Sequence, residues 1–471
     1  MEKILNIIKK YIPKKLFKNL QPIYHFTLSW LASLAYGRPS EKLIVIGVTG
    51  TTGKTTSVYL IAKTLEEAGC KVGFTSTAMF NDGEKEWLND KKMTMVGRFF
   101  TQKILKKMVK HKCQYAIVET TSEGVKQFRH RFINYDILVF TGLYPEHIDS
   151  HGGFENYKKA KGKLFAHLKR CGIKYADDKK FIHRKISGLK KTDLNRVKKT
   201  IIANADDDHA DYFLNFWSER KFAYTEEGSK FDGKNKNGVE TVSYQRVEAD
   251  KDGTTFTFNK TKVRLRLLGD FNVVNAMTAV CVALSQGFSE KDIKNGLEKI
   301  EGVAGRLEKI DEGQPFTVIV DYAFEPNAVE KLYKTIKLIP HKKVIHVLGS
   351  TGGGRDIARR PRLGELAGEN ADFVIVTNED PYDEDPLVII DQVAEGALDK
   401  GKKLNKDLFK IADRREAIKT ALALAQENDI VLITGKGSEQ AICAADGEKI
   451  TWDDRAVVRG LLENWEKDSV I

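Results

Sequence analysis

The sequence predicts an α/β protein in three parts: a basic, apolar helical segment over 1–41, a central unit with a parallel sheet over 42–305, and a C-terminal Rossmann-like unit over 306–471. Three observations lead there. A strand, a glycine-rich turn and a helix follow one another in "VIGVTGTTGKTTSVYLIAK", Val45 to Lys63. Short apolar runs ending in polar or glycine-rich loops recur in two series, before about residue 150 and after about residue 306. Between them, residues 200–270 turn β-rich, in stretches such as "TTFTFNKTKVRLRLLG" that read as an antiparallel addition.

The chain of 471 residues is long enough for two or three cores, and its 41% hydrophobic and 30% charged content is that of a globular protein. No run of about 18 apolar residues appears, so no spanning helix is expected. Cys70, Cys113, Cys171, Cys281 and Cys443 lie far apart and form no CxxC pair. That argues against a disulfide framework and a zinc site, and fits a reducing cytoplasm.

The net charge of +12 is unevenly placed: residues 1–42 hold eight Lys or Arg against Glu2 and Glu41, half of the excess. Such a segment suits an anionic membrane surface at the inner face of the membrane, or a solvated basic cap on the first unit. Ile4, Leu5, Ile7, Ile8, Tyr11 and Ile12 repeat with helical period, and Pro13 and Pro22 punctuate the segment. "IYHFTLSWLASLAY", Ile23 to Tyr36, is apolar nearly all round but too short to cross a bilayer, so it reads as a buried or interfacial helix. A cleaved signal peptide is not expected. Nor is a nucleic-acid partner, because no aromatic-and-basic stacking pattern accompanies the charge.

From Lys42 the order is strand "KLIVIG", loop, helix "TSVYLIAKTLEEAG" stopped by Gly69, and strand "KVGFTS". "YAIVETTSEG" and "YDILVFTGLYPEHIDSHG" are strands with polar ends, where catalytic groups gather in parallel sheets. "KVIHVLGSTGGGRD", "ADFVIVTNEDP" and "NDIVLITGKGSEQ" repeat the pattern in the second series.

The strict phosphate-loop spacing would need glycine at 48, where Val48 stands; glycines recur instead at 47, 50 and 53, followed by Lys54 and Thr55. The mechanism survives this change. Backbone N–H groups of Gly50, Thr51, Thr52, Gly53 and Thr56 and the helix N-terminus face the phosphates, Lys54 reaches the β and γ oxygens, and the Thr55 hydroxyl can ligate Mg²⁺.

"GVTGTTGKTT" resembles the signature of the Mur ligases, the ATP-dependent amide ligases of peptidoglycan precursor synthesis. The likeness continues in order through "VETTSEGVKQFRH", "FTGLYPEHIDSHGGFENYKKAKGKLF", "LLGDFNVVNAMTAV", "GVAGRLEKI", "VDYAFEPNAVEKL", "GGGRDIARRPRLGE", "NEDPYDEDP" and "GKGSEQ". It is nearest to the branch that adds the third amino acid. The resemblance implies a muramoyl-peptide acceptor and an amino acid as substrates, ATP with two magnesium ions, and an acyl phosphate on the path. It assigns Thr55, Glu119, His147 and a carbamylated Lys161 to the metals, with Lys54, Lys161 and His147 catalytic. Carbamylation needs a neutral amine, so burial or nearby charge should depress the Lys161 pKa. The adenosine falls to Asn275, with Asn272 as a second candidate, the phosphates to Arg306 and the ribose to Asp321; the acceptor to Thr94, Ser122, Gln127 and Arg129; the amino acid to Arg355, Asp380, Gly435 and Glu439.

Several positions depart from the family pattern. Only segment 1–42 stands where the family carries its uridine-nucleotide domain, so no uridine contacts are expected from the residues present. The diaminopimelate signature Asp-Asn-Pro-Arg is Glu379-Asp380-Pro381-Tyr382 here, which removes the arginine that grips the far carboxylate and makes lysine or another amine the expectation. Phe324 and Ser438 replace histidines, and Val96 and Gly142 replace the common Pro and Asn. The alternatives are lipid-linked precursor amidation, folylpolyglutamate synthesis, or a nucleotide-binding membrane-surface scaffold without catalysis.

Overall fold

The computed structural model describes residues 14–145, 151–183, 194–231, 238–354 and 357–463. Helix α1 (Lys14–Ala35) runs through Pro22 instead of breaking there. A proline removes one backbone donor, a modest loss at a position exposed to solvent. The helical pattern expected over residues 4–12 lies outside the described residues.

The first sheet is built on β1 (Ile44–Thr49), whose six residues are all buried because both faces are covered. Further strands are β2 (Val72–Thr75), β3 (Met79–Asn81), β4 (Glu86–Leu88), β5 (Tyr115–Glu119), β6 (Ile137–Phe140), β7 (Thr200–Asn204), β8 (Arg220–Glu226), β9 (Val239–Asp250), β10 (Gly253–Phe258) and β11 (Thr261–Leu265). They form one sheet of eleven strands in the order β11-β10-β9-β8-β7-β6-β1-β5-β2-β3-β4. Pairing is parallel from β2 across to β9 and antiparallel only at the two edges. The expected antiparallel addition over 200–270 is therefore narrower than its composition suggested: β7 and β8 continue the parallel sheet, and β9–β11 extend it. Two apolar cores cover its faces, one around Ile46, Phe74 and Val280, the other around Val45, Phe140 and Phe165.

Helices α2 (Lys54–Glu67), α3 (Arg98–Lys110), α4 (Ser122–Lys126), α5 (Phe154–Leu168), α6 (Ala210–Leu214), α7 (Phe271–Ser285) and α8 (Glu290–Glu298) surround this sheet. Helix α2 ends just before Gly69, at φ 85, as expected of a left-handed stop. Asp136, at the start of β6, anchors the sheet from below: its carboxylate accepts from Lys174, Lys199 and the Val45 N–H, all within the core.

The second sheet holds β12 (Glu308–Ile310), β13 (Thr317–Val320), β14 (Val344–Leu348), β15 (Phe373–Thr377), β16 (Leu408–Ile411) and β17 (Ile430–Ile433), ordered β12-β13-β17-β14-β15-β16 and parallel except at β12. Helices α9 (Pro326–Ile336), α10 (Arg359–Asn370), α11 (Pro386–Asp399), α12 (Arg414–Leu424) and α13 (Asp454–Leu462) accompany it. The loops that leave the carboxyl ends of both sheets meet across one cleft, as open parallel sheets favour.

Candidate active site

Register places the key groups side by side. Val48 of β1 pairs with Glu119 of β5, and Thr49 with Phe140 of β6, so the glycine loop, Glu119 and the Thr141–Pro145 loop leave adjacent strands. A Cβ on Gly50 would stand 1.9 Å from Thr141 Oγ1, and one on Gly53 2.3 Å from Asn275 Oδ1, so both glycines are required by space. Gly53 also has φ 76 and precedes α2, whose first turn no side chain caps; its N–H groups are left for a ligand. Lys54 folds its ammonium back onto the Thr51 carbonyl.

Thr55 Oγ1 donates to Glu119 Oε2 at 2.9 Å, and Thr77 adds its N–H at 2.8 Å and its hydroxyl at 3.0 Å. Glu119 is 1% exposed yet lines the cleft. A buried hydroxyl and a carboxylate are hard oxygen donors, the set that Mg²⁺ takes alongside substrate phosphates and water. Among the described residues no group of three His, Cys, Asp or Glu gathers to hold a metal. The expected ligand His147 lies outside the described residues. Behind the loop, Lys161 is buried at 2% exposure, donates to the Gly50 carbonyl at 2.7 Å and lies 4.5 Å from the Tyr157 ring centre. Lys159 and Lys163 of the same helix are exposed, so burial sets Lys161 apart on a strongly basic helix.

On the nucleoside side, Asn272 and Asn275 are buried cleft residues joined by a 3.0 Å hydrogen bond, and the cap of α7 is Asp270. Arg306 lies 4.3 Å from the Tyr322 ring centre with Nη2 3.4 Å from Thr55 Oγ1. Asp321 accepts from the Leu307 and Ala323 N–H groups at 2.7 and 2.6 Å; burial raises its carboxyl above the ordinary range, against the pull of Arg306.

Thr94 is joined to Glu119 through the Thr77 hydroxyl, and Ser122 contacts His151 at 3.1 Å. Arg129 lines the cleft; Gln127 does not, but its side-chain oxygen holds the Arg129 guanidinium at 2.7 and 3.1 Å. Arg355 lies outside the described residues. Across the cleft, Asp380 and Glu439 share two lysines. Lys436 meets them at 2.8 and 2.9 Å, and Lys92, from the first sheet's side, at 2.8 Å to Asp380 and closely to Glu439. Gly435 at φ 102 admits Glu379, since a Cβ there would sit 2.4 Å from Glu379 Oε2. Burial, then Asp380, raises the Glu379 carboxyl.

Lys92 and Lys436 were missed from the sequence. Lys436 sits inside the quoted "GKGSEQ" and was open to discovery. Lys92 gave no signal: its partners are 288 and 347 residues away.

Residues 48–197 and 188–283 match the Mur ligase middle domain, and 305–437 match the Mur ligase, glutamate ligase domain. A UDP-N-acetylmuramyl-tripeptide synthetase of Roseiflexus sp. is 37% identical over 449 residues, 94% of this chain and 82% of that protein. The chain belongs to the Mur ligase family. A UDP-N-acetylmuramoyl-L-alanyl-D-glutamate--2,6-diaminopimelate ligase of Syntrophomonas wolfei is 34% identical over 92% of this Mur ligase and 81% of its own length. A solved ligase of that same name superposes with TM-score 0.56 at 27% identity, over 90% of this chain and 79% of its own. Folylpolyglutamate synthase from Mycobacterium tuberculosis, at TM-score 0.62 and 14% identity over 88% and 92% of the two chains, shares the fold.

Proposed function

We propose that this Mur ligase joins an amino acid to the carboxylate of a muramoyl-peptide in peptidoglycan precursor synthesis, spending ATP through an acyl phosphate. One observation carries the reading. A single cleft of about 1010 Å³ has the phosphate loop and Glu119 on one wall and Asp380, Gly435 and Glu439 on the other. Both half-reactions crowd anionic oxygens together, so positioning and cationic neutralisation supply most of the rate.

In this reading Lys54 and the amides of Gly50 and of residues 52–56 hold the triphosphate, while the Thr51 N–H, expected to join them, donates instead to the Gly142 carbonyl at 2.8 Å; Arg306 approaches from the second sheet's side. Asn275 and Asp321 border the nucleoside; Thr94, Ser122 and Arg129, steadied by Gln127, hold the acceptor. Thr55 and Glu119 would hold magnesium, with His147 and Lys161 as carbamate completing a two-metal set. Magnesium bound there would neutralise the phosphate oxygens. The acceptor carboxylate attacks the γ-phosphorus and ADP leaves; the amine then attacks the acyl carbon and phosphate leaves. Tyr382 in place of the arginine removes the group that would grip a far carboxylate, which supports lysine or ornithine over diaminopimelate; Asp380 and Glu439 are themselves balanced by Lys92 and Lys436. Residues 42–305 and 306–471 serve as the two units that close on the substrates, and residues 1–42 meet an anionic membrane surface.

The test is ADP release with muramoyl-dipeptide acceptors, UDP-linked and not, crossed with lysine, ornithine, diaminopimelate and alanine. Release that requires both an acceptor and an amine, fastest with a dibasic amine, is expected. Release independent of either substrate would refute the ligase reading.

A further inference from the structure

Helix α1 wears its apolar side outward. Along 22 residues, Leu20, Ile23, Tyr24, Trp30, Leu31 and Leu34 are each 40–64% exposed. Spacings of three, four and seven residues place them on one side of the helix, with the exposed Thr27 between Tyr24 and Trp30. Among the residues of α1 whose burial is described, Ser29, Ala32 and Ser33 are the buried ones, and Phe26 and His25 also reach the protein. A helix that folds only to cover its own core arranges these two sets the other way round, and an exposed apolar side of this length marks a docking face.

The surroundings of the stripe say what covers it. No Asp or Glu occurs between residues 3 and 40, while seven Lys or Arg do. On α3, which packs beside α1, Lys103, Lys106 and Lys110 are exposed, and the Lys106 ammonium lies 5.9 Å from the Tyr36 ring centre. An apolar stripe flanked by cations is the chemistry of an interfacial helix on anionic lipid. No helix among the described residues is long and apolar enough to cross a membrane.

The inner side of α1 is tied to the acceptor wall. Ser29 Oγ donates to the Phe128 carbonyl at 3.0 Å, and Arg98 joins Ser29 Oγ at 3.1 Å to the Gln127 carbonyl at 2.8 Å. Arg98 also meets His25, and Gln127 in turn holds Arg129 in the cleft. Phe26 adds edge contacts to Phe128 and Phe132, with ring centres 6.2 and 5.2 Å away. A docked α1 would thus hold the acceptor wall at a fixed height above the lipid.

We propose that the outward face of α1 docks on an anionic bilayer and presents the acceptor wall to a muramoyl-peptide displayed on that same bilayer. The identity of the acceptor rests on the ligase reading above; the docking does not. Confinement to one surface raises the effective concentration of enzyme and acceptor for each other without any new contact in the cleft.

The test uses the full chain and vesicles of phosphatidylglycerol with phosphatidylethanolamine, against vesicles of phosphatidylcholine alone. The chain should sediment with the anionic vesicles and be released by salt. Trp30→Glu with Leu34→Glu should cut vesicle binding by at least about tenfold, since two large apolar contacts are lost. Lys103→Glu with Lys106→Glu should weaken binding and flatten its salt dependence. ADP release with a soluble acceptor should be unchanged in both double variants, whereas KM for an acceptor anchored in the vesicles should rise. Wild-type protein that ignores anionic vesicles, or a Trp30/Leu34 variant that binds them as well, would overturn the docking. A fall in particle mass from dimer to monomer in that variant would assign the stripe to a second copy instead and would equally overturn it. Lost vesicle binding with an unchanged KM for the anchored acceptor would overturn the acceptor half. Failure of the ligase reading shows separately, as absence of ADP release with every acceptor while sedimentation persists.

Discussion

Lys92→Met tests the contact that joins the two walls of the cleft. The Lys92 side chain is 5% exposed and its ammonium lies 2.8 Å from Asp380 and against Glu439, the carboxylates proposed above for the amino-acid side of the cleft. Burial works against its charge, but Glu439 and Asp380 more than offset that and raise its pKa. Removing one partner of a buried ion pair costs about 3–5 kcal/mol when the other is left alone. Here neither acid is left alone: Lys436 still meets both, the Cys443 N–H donates to Asp380 at 2.7 Å, and the Tyr322 hydroxyl donates to Glu439 at 3.2 Å. The expected loss of stability is therefore smaller, about 1–2 kcal/mol, a fall in Tm of about 2–8 °C.

The same substitution leaves two carboxylates facing one lysine, so a dibasic amine should fill the vacancy. The ratio of KM for alanine to KM for lysine should rise by about 5–30-fold, the equivalent of 1–2 kcal/mol. Steady-state ADP release with both amines reads this directly, and an unchanged ratio would refute the argument. The pH dependence follows by sign. Burial acts to raise the Asp380 pKa, but Lys436 and Lys92 outweigh it and the folded value is lowered. Its contribution to stability is complete above the unfolded carboxylate value of about 3.9 and disappears as pH falls from there through the folded pKa. Lys92→Met should flatten that acid-side loss.

Glu119→Gln keeps acceptor oxygen for Thr55 and Thr77 but removes the anion; kcat should fall on the order of 10²–10³-fold with the magnesium requirement raised, and unaltered magnesium dependence would count against Glu119 as a ligand. Gly50→Ala drives a methyl into Thr141 Oγ1 and should weaken ATP binding on the order of a hundredfold by calorimetry while circular dichroism stays native. Asp136→Asn strands Lys174 and Lys199 in the core and should cost about 3–5 kcal/mol in urea denaturation. A loss under about 1 kcal/mol would show that the triad contributes little.

The sequence revealed most where chemistry and local structure coincide. Gly50, Gly53 and Thr55 lie within one strand–turn–helix unit, so their spacing alone predicts a phosphate seat, and Glu119 could be placed because polar residues at parallel strand ends face the same edge. The strands of 200–226 misled, because their short apolar runs suit either pairing and only the neighbouring β6 makes them parallel. Pro22 misled too, since local rules weigh a lost hydrogen bond without the packing of Ser29, Ala32 and Ser33 that holds the helix together. Lys92 was invisible for a different reason: what selects it is a pair of acids on another sheet. The apolar character of 23–36 was plain in the sequence, but which side faces out was decided by tertiary contacts.

The central claim is that a carboxyl group is phosphorylated in the cleft between Thr55–Glu119 and Asp380–Glu439 before the amine attacks it. The direct measurement is turnover of an acceptor labelled with ¹⁸O in its carboxylate, with the released phosphate analysed by mass spectrometry. One labelled oxygen in the phosphate for each amide bond formed is predicted, because the acceptor oxygen leaves with the phosphoryl group. Amide formation with unlabelled phosphate would contradict the account.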